Sequence, residues 1–150
     1  MRYVKYFFYI CRHKWYVLRE CWRVRLYWLG IIHDLSKFLP AEFRPYADKF
    51  YGRFELNEKQ KWRWQIALLH HYNHNKHHSI HWVTDPHKKQ ALPIPDKYLL
   101  EMVCDWRAMK PKNRDNALNC YLRIRDKIIL HPDSRMKLEQ ILEIKVLQKT

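Results

Sequence analysis

Only two glycines, Gly30 and Gly52, occur in the 150 residues, and this scarcity is the strongest constraint on the fold. Tight hairpin turns and phosphate-binding loops both depend on glycine, because glycine adopts left-handed backbone angles at no steric cost. A dinucleotide fingerprint or a phosphate-cradling loop needs at least two glycines in close register. The sequence therefore excludes both motifs, argues against a turn-rich β fold and favours helices.

Apolar residues recur every three or four positions along much of the chain, which is the spacing of one helical face. No segment shows the sustained two-residue alternation of a half-buried strand. Residues 84–95 contain Pro86, Pro93 and Pro95 and predict a loop. We therefore predict an all-α fold, a single compact domain over residues 1–150 with about six to seven helices.

Local start and stop signals give the expected limits of these helices. Residues 3–33 could form one helix, but that length is unusual in a compact domain, so a break near residues 23–25 that gives two antiparallel helices is the preferred prediction. Asp34 or Ser36 then caps the next segment. The third begins at Pro40 and runs to Phe50. The next helix is capped by Asn57, and its inward residues are predicted to be Trp62, Ile66, Leu69 and His70 or His71. A helix over 96–108 follows, then a break at 111–113 and a helix over 115–130. A last helix is capped by Asp133 or Ser134 and runs to about Gln148.

Lysine and arginine outnumber the acidic residues by 29 to 15, which gives a net charge of +14 with neutral histidines. A surface this basic attracts polyanions such as nucleic acid, nucleotides or an acidic membrane surface. The alternative is a protein that is basic without a functional reason. Charge bears on the choice of partner and not on the fold, so it predicts a phosphate-bearing partner only.

The four cysteines, Cys11, Cys21, Cys104 and Cys120, lack the close spacing of a zinc knuckle or a redox dithiol. Scattered cysteines of this kind predict buried free thiols in a reducing compartment. Residues 1–20 are aromatic but are interrupted by basic side chains, so they predict neither a membrane span nor a secretory signal. We expect a cytoplasmic protein.

Histidine is the residue type that points to chemistry, because ten occur and several are clustered. His33 and Asp34 follow an apolar helix, where burying an acid beside an imidazole is costly unless a metal ion or another partner compensates. Asp105 lies inside a second apolar run, Met102 to Trp106. The alternatives are an ordinary helix-terminal acid beside a satisfied histidine, and an acid on a polar helix face.

A cluster of five histidines lies within residues 70–78, in the string HHYNHNKHH. On a helix, His71, Asn75 and His78 share one face, and His70, His74, His77 and His81 form the adjacent stripe. Imidazoles at such spacing suit manganese, iron, cobalt, nickel or zinc. The alternative is a polar surface helix that binds metal only adventitiously.

The order of these residues along the chain is informative. His13 precedes His33 by 20 residues (33 − 13), and Asp105 follows Asp34 by 71 (105 − 34). This order resembles the HD-domain superfamily of helical metal-dependent phosphohydrolases, and the string HDLSK resembles its variant with a lysine three residues after the pair. The resemblance implies an HD-like helical bundle in which these four residues converge on a metal. Members with two metals carry further histidines where this chain has its cluster.

Four ordered blocks are also similar to an uncharacterised family of bacterial and phage proteins, known as a domain of unknown function. The blocks cover residues 33–52, 67–78, 95–106 and 127–135. That family has no settled activity. The similarity therefore implies a fold and a metal site but no substrate, and it places the protein in a bacterium or a phage-infected cell.

Together these observations predict a centre for one or two divalent ions. Bound ions of this kind lower the pKa of water and polarise a phosphoryl oxygen. His71 and His78 are preferred over His70 and His77 as ligands because they share a face with Asn75. The predicted metal ligands are His13, His33, Asp34, His71, His78 and Asp105.

A phosphate-bearing substrate, a nucleotide or nucleic acid, follows from the basic charge and the resemblance. Asp34 and Lys37 are the predicted catalytic residues: Asp34, or alternatively Asp105, orients the attacking water, and Lys37 offsets phosphate charge one turn further on. Lys37, Asn75 and His77 are the predicted substrate contacts. For Lys37, a solvated lysine is the plain alternative.

Two other functions compete with phosphohydrolysis. The first is a basic helical module that binds nucleic acid or a protein, with a structural metal site. Its surface would be the aromatic and basic residues Trp15, Arg19, Trp22, Arg23, Arg25 and Trp28, unless those aromatics belong to the core. The second is an iron-dependent oxygenase, because some two-metal HD proteins oxidise their substrates. The metal bound by untagged protein separates the three.

Overall fold

The computed structural model describes residues 1–109 and 116–143. Within these ranges the chain forms seven α-helices and a very small sheet, which confirms the all-α class. Short 3-10 helices cover Leu35–Phe38 and Ser79–Trp82, and the sheet pairs β1 (Val83–Asp85) with β2 (Gln90–Ala91). The α-helices are α1 (Arg2–Arg23), α2 (Tyr27–Ile32), α3 (Pro40–Tyr51), α4 (Glu58–His74), α5 (Asp96–Met109), α6 (Asn116–Ile124) and α7 (Pro132–Ile141).

Helices α1 and α2 form the predicted antiparallel pair, and the chain reverses at residues 24–26. The Leu26 amide donates to the Cys21 carbonyl at 2.9 Å, which closes the end of α1. Gly30 allows the two helices to approach closely, because a Cβ at this position would lie 2.9 Å from the Cys21 Cβ. This packing brings His33, directly after α2, against the middle of α1.

The inner face of α1 contributes to two apolar clusters. Tyr6 and Ile10 pack with α3 and α4, and Val17 and Cys21 pack with α5. A third and larger cluster joins α5 to α6 and α7 around Tyr121. Because α1 and α5 lie against each other between these clusters, polar side chains on their facing surfaces are withdrawn from water.

All four cysteines are free, as the sequence predicts. Cys21 and Cys104 are buried, whereas Cys11 and Cys120 are half-buried. The neighbouring Cys104 thiol and burial together raise the pKa of Cys21, so this thiol stays protonated and unreactive. Among the described residues, no helix is long and apolar enough to cross a membrane.

Helix α4 begins at the predicted cap but presents a different inner face. Asn57 and Gln60 form a reciprocal capping box, with Oδ1 of Asn57 accepting from the Gln60 amide at 2.9 Å. The expectation that Trp62, Ile66 and Leu69 face inward is wrong, since all three are exposed. The inward residues are Ala67 and His71, flanked by the half-buried Trp64 and Leu68. Apolar residues lie on both faces of α4, so their spacing alone does not identify the buried one.

The segment expected to be a loop, residues 84–95, includes part of a short antiparallel hairpin. Its turn is formed by Asp85, whose Oδ1 accepts from the amides of His87 at 2.9 Å and Lys88 at 3.1 Å. Lys89 then takes a left-handed φ of 52°. An aspartate turn therefore takes the place of the glycine turn that hairpins usually need. Because no glycine marks this turn, the sequence pattern does not predict the hairpin.

The C-terminal helices are shorter than predicted. Helix α6 ends at Ile124 and not at Leu130, because Arg135 reaches back to the carbonyls of Arg125 (3.1 Å) and Ile128 (2.9 Å) and holds that segment outside the helix. Helix α7 ends at Ile141. The cap of α7 is also a correction. The N-cap is His131, whose ring accepts from the Asp133 amide, and Ser134 Oγ instead accepts from the Ile94 amide at 2.8 Å. The predicted break at 111–113, the start at Asp115 and the end near Gln148 lie outside the described residues.

Candidate metal centre

Asp34 is the centre of the candidate site. It takes the left-handed conformation (φ 52°, ψ 24°) before the 3-10 helix Leu35–Phe38, which is uncommon for a residue other than glycine. Its carboxylate makes no capping bond and is buried in the protein. Oδ2 lies 3.5 Å from His33 Nε2, whereas Oδ1 lies 3.5 Å from His71 Nε2 and 3.6 Å from His77 Nε2. The two oxygens therefore face two different sets of histidines.

The first set, called here the first group, comprises His13, His33 and Asp105. His13 comes from α1, His33 follows α2, and Asp105 comes from α5. Oδ1 of Asp105 lies 2.9 Å from His13 Nε2 and 3.7 Å from His33 Nε2. Three helices thus bring together the residues whose order along the chain predicted a common site, with Asp34 Oδ2 beside them.

The second set, called here the second group, comprises Asp34, His71, His77 and His78. The Nε2 atoms of His71 and His78 lie 2.8 Å apart, and the rings of His77 and His78 have centroids 4.1 Å apart. His77, predicted to contact substrate, has its Nε2 buried and facing Asp34. His71 and His77 thus face the same oxygen of Asp34, and His78 lies against both of these histidines.

The second group does not lie on one helical face, which corrects the expected helix through His78. Helix α4 ends at His74, and Asn75 adopts extended backbone angles. The side-chain nitrogen Nδ2 of Asn75 donates to the His71 carbonyl at 2.8 Å and to Ser36 Oγ at 2.8 Å. These bonds take the chain out of the helix, and the turn after Asn75 brings His77 and His78 back over His71. His70, the alternative to His71, instead points to Glu42 and is not part of the second group.

Two buried glutamates that the sequence did not single out hold the outer ring nitrogens. Glu101 Oε1 lies 2.9 Å from His33 Nδ1 and 3.4 Å from His77 Nδ1, so one carboxylate serves both groups. Glu42 Oε2 lies 2.9 Å from His71 Nδ1. A carboxylate at Nδ1 orients the ring and leaves Nε2 as the inward ligand atom, as in carboxylate–histidine–metal arrangements. Glu101 stands in an apolar run one turn before Asp105, and that position was the available signal.

The inward atoms fit a cation. His33 Nε2, His77 Nε2 and Asp34 Oδ1 are buried and have no hydrogen-bond partner among the described residues. A histidine ring that donates a hydrogen bond from Nδ1 carries a lone pair on Nε2. Here that lone pair faces a carboxylate oxygen, and only a proton or a cation between the two atoms removes their repulsion. Donor atoms on one ion, each about 2.0–2.2 Å from it, lie roughly 3–3.5 Å apart. The His71–His78 contact and the histidine–carboxylate contacts given above, from 2.8 to 3.7 Å, match that spacing, and the ligand atoms of each group all lie within 4.8 Å of one another.

Comparison with family models gives a match over residues 2–144 to a family of unknown function, DUF5662. The chain belongs to this family. No curated protein and no solved structure matched. The family carries no assigned activity.

Without a bound metal ion, the buried carboxylates of the centre favour a protonated His33 beside an ionised Asp34. Burial lowers the pKa of His33, but Asp34, Asp105 and Glu101 outweigh it and raise that pKa to about 10. Burial likewise raises the pKa of Asp34, but the positive charges of His33 and Lys37 outweigh it and hold the pKa well below its usual range. His78 is the opposite case: burial and the neighbouring His77 and His71 push its pKa well below its usual range. His78 is therefore a neutral imidazole, the form that binds metal.

Lys37 and Asn75 were both predicted to touch substrate. Lys37 Nζ lies 2.6 Å from Asp34 Oδ2, and Asp34 and Asp105 outweigh burial and raise the pKa of Lys37, which keeps it charged. Lys37 is therefore paired, which removes the plain alternative of a solvated lysine. The amide nitrogen of Asn75 bonds Ser36 and His71, so its substrate contact stays a prediction, as do the catalytic roles of Asp34 and Lys37.

Proposed function

We propose that this chain is a metal-dependent hydrolase of phosphate esters, with one or two divalent ions held by the first and second groups and shared at Asp34. One observation carries the proposal. The unpaired, buried Nε2 atoms of His33 and His77 face opposite oxygens of the Asp34 carboxylate. If these histidines served only for packing, His33 Nε2, His77 Nε2 and Asp34 Oδ1 would stay buried without hydrogen-bond partners, which costs stability.

The chemistry follows from the donor set. Divalent ions held by imidazoles and carboxylates activate water and polarise a phosphoryl oxygen. Asp34 and Asp105 accept hydrogen bonds and orient the attacking water, and Lys37 places a positive charge beside Asp34, where a phosphate would bind. The net charge of +14 favours an anionic substrate, such as a nucleotide. The resemblance to the HD-domain superfamily supports the same reaction class.

The test separates metal loading from turnover. Lys37→Ala removes a charge but no metal ligand, so we expect unchanged metal content and a turnover of phosphate esters lower by about tenfold or more. Asp105→Ala removes a ligand of the first group and should lower both quantities. Lys61→Ala is the matched control, because Lys61 also pairs with an acid three residues away (Glu58, 2.8 Å) but on the exposed face of α4.

The assay uses untagged protein and a panel of nucleotides, cyclic nucleotides and single-stranded nucleic acid, with manganese, cobalt, zinc or iron. Hydrolysis with loss in Lys37→Ala supports the proposal. Inactivity across the panel from fully metal-loaded protein contradicts it. Retained iron together with oxygen-dependent oxidation of a substrate would replace hydrolysis by oxygenase chemistry.

A second candidate function is binding of nucleic acid by α1 and α2. Trp15 and Trp22, two turns apart on α1, are 62% and 59% exposed, and Trp28 on α2 is 68% exposed. These tryptophans are therefore not core residues. Arg19 lies about one turn from both Trp15 and Trp22 on α1, and Arg19 and Arg23 each pair with Glu20. Exposed aromatic rings among arginines suit stacking on unpaired bases.

This second function predicts binding of single-stranded DNA or RNA that weakens steeply with salt, because each neutralised phosphate releases counterions. Trp15→Ala and Trp28→Ala should each weaken binding by roughly fivefold to a hundredfold. Phe54→Ala, another exposed aromatic far along the chain, is the control. Affinity that does not change between low and physiological salt contradicts the candidate.

A further inference from the structure

A cavity of about 460 Å³ opens beside the candidate metal centre. Its wall is mostly aromatic, formed by Tyr6 and Tyr9 of α1 and Tyr46, Phe50 and Tyr51 of α3, with Met109 from the end of α5. Lys37 is the single charged side chain among the described residues that line it. Sites for one small molecule span about 300–1,000 Å³ and are mostly apolar with a few polar groups, as this cavity is.

Three wall residues touch three residues of the metal centre. The Tyr9 ring stacks on His13 of the first group, with centroids 6.2 Å apart and planes within 6°. The Tyr46 ring contacts His71 of the second group at 5.8 Å. Lys37 pairs with Asp34, which both groups share. The cavity therefore adjoins residues of both groups, so a ligand bound in it would lie next to a phosphate held at the centre.

The Tyr6 hydroxyl is a second, independent sign of a ligand. It is buried and has no hydrogen-bond partner in the part of the chain that the structure describes. Burial raises the pKa of Tyr6, and Tyr46, Asp34 and Glu42 add to that rise, so the hydroxyl keeps its proton and can donate it to a ligand. A buried hydroxyl without a partner costs stability, and a bound ligand that bonds it removes that cost.

We infer that this cavity binds the leaving group of the phosphate ester and selects a planar aromatic ring, with Tyr6 donating a hydrogen bond to an oxygen at the phosphate end. The inference rests on the proposed function and adds a substrate class to it: small phosphate esters that carry an aromatic ring. Flat rings pack against tyrosine faces in stacked or edge-on geometry, and a saturated ring of the same size gains less. The size of the cavity favours a single small molecule over a polymer.

The experiment compares two esters that differ only in the ring, benzyl phosphate and cyclohexylmethyl phosphate. Their leaving groups are both primary alcohols, so their intrinsic reactivity is similar. For metal-loaded protein we expect kcat/KM to favour the benzyl ester by about threefold to tenfold. Tyr51→Leu should reduce this preference, whereas Phe54→Leu, at an exposed phenylalanine outside the cavity, should keep it. Equal kcat/KM for the two esters in the wild type overturns the inference and leaves the proposed hydrolysis standing.

Binding is measured separately with the matching non-hydrolysable phosphonates, by calorimetry on metal-loaded protein. Tighter binding of the benzyl phosphonate without hydrolysis of either ester supports the cavity and contradicts the proposed function. Absence of any ring preference in binding overturns the cavity assignment.

Tyr6→Phe tests the hydroxyl alone. It should weaken both phosphonates by about fivefold, keep the ring preference, and leave the melting temperature equal or higher because an unsatisfied group is removed. A lower melting temperature with unchanged phosphonate affinity would give the hydroxyl a structural role and overturn its assignment.

Discussion

The first and second groups share Asp34 but are held in place by different forces. His13 lies on the inner face of α1 between Ile10 and Val17, and Asp105 follows the buried Cys104 on α5, so apolar packing between two helices fixes the first group. The second group depends on the turn after α4, which hydrogen bonds of Asn75 maintain. Packing therefore preorganises one half of the centre, and a polar network preorganises the other.

The largest effect should come from the shared residue. Asp34→Asn keeps the shape of the side chain and is compatible with the left-handed backbone, since asparagine adopts it readily. The change removes the negative charge that both groups face, so we expect metal content to fall almost to zero with a retained helical spectrum. Metal analysis and circular dichroism measure the two quantities, and Asp48→Asn, at a surface ion pair with Arg2, is the control. Full loading of Asp34→Asn contradicts a shared centre.

Single-histidine variants should separate the two groups. His13→Ala removes a donor from the first group only, and His78→Ala removes one from the second only. If two ions bind, each variant should lose about half of the metal and retain the rest. His74→Ala, an exposed histidine outside both groups, should change nothing. Complete loss of metal in both variants would show that the groups form one indivisible site.

The outer glutamates sharpen the comparison further. Glu101→Gln weakens the hold on both His33 and His77, whereas Glu42→Gln affects only His71 within the two groups. Loss of such carboxylate partners lowers metal affinity by about 10–100-fold. We expect Glu101→Gln to weaken both ions and Glu42→Gln to weaken one, as titration of metal into the apo-protein can show. Glu139→Gln, a buried glutamate that accepts from Tyr121, is the matched control and should leave affinity unchanged. Equal effects of all three changes would argue against a positioning role.

Sequence alone reached the first group more completely than the second. The order of His13, His33, Asp34 and Asp105 along the chain and its resemblance to the HD-domain superfamily predict the first group, whereas the spacing of apolar residues leaves the direction of Asp105 open. For the second group the prediction relies on helical periodicity beyond His74, where the helix has ended. The departure depends on Asn75 bonding Ser36, a residue 39 positions away, and no local pattern records such a contact.

The glutamates and the cavity were missed for a different reason. Glu42 lies in the first turn of a helix, where an acid is expected because it favours the helix dipole. Its position therefore gives no sign that it also contacts His71. The tyrosines of α1 and α3 are 37 or more positions apart (46 − 9) and become one wall only when the helices pack. The fold class, the helix order and the residues of the first group can therefore be predicted from the sequence. Sites formed by turns or by the packing of distant aromatic residues cannot.

Proton release should report the charge state of the first group. With a pKa of about 10 in the metal-free protein, His33 carries a proton at neutral pH, and a metal at Nε2 must displace it. Affinity therefore rises with pH as the proton becomes easier to remove, by up to about tenfold per pH unit for one displaced proton. Calorimetric titrations in buffers of different ionisation enthalpy count the protons released. His33→Gln, which holds no proton, should release fewer. An affinity independent of pH in the wild-type protein contradicts a protonated His33.

The smallest expected effect tests the polar network of the second group. Ser36→Ala deprives the Asn75 amide of its acceptor at 2.8 Å, which should cost about 1 kcal/mol in the free energy of unfolding. The turn that carries His77 and His78 then loses one of its two anchors, while the helices that hold the first group are untouched. We expect a few-fold loss of affinity for one ion only, measured by metal titration beside a denaturant unfolding curve. Ser134→Ala is the matched control, because Ser134 Oγ is a buried acceptor, for the Ile94 amide, far from the metal centre along the chain. It should lose similar stability without any change in metal affinity. If both serine variants leave metal affinity unchanged, the second group is held by packing after all, and the contrast between the two halves disappears.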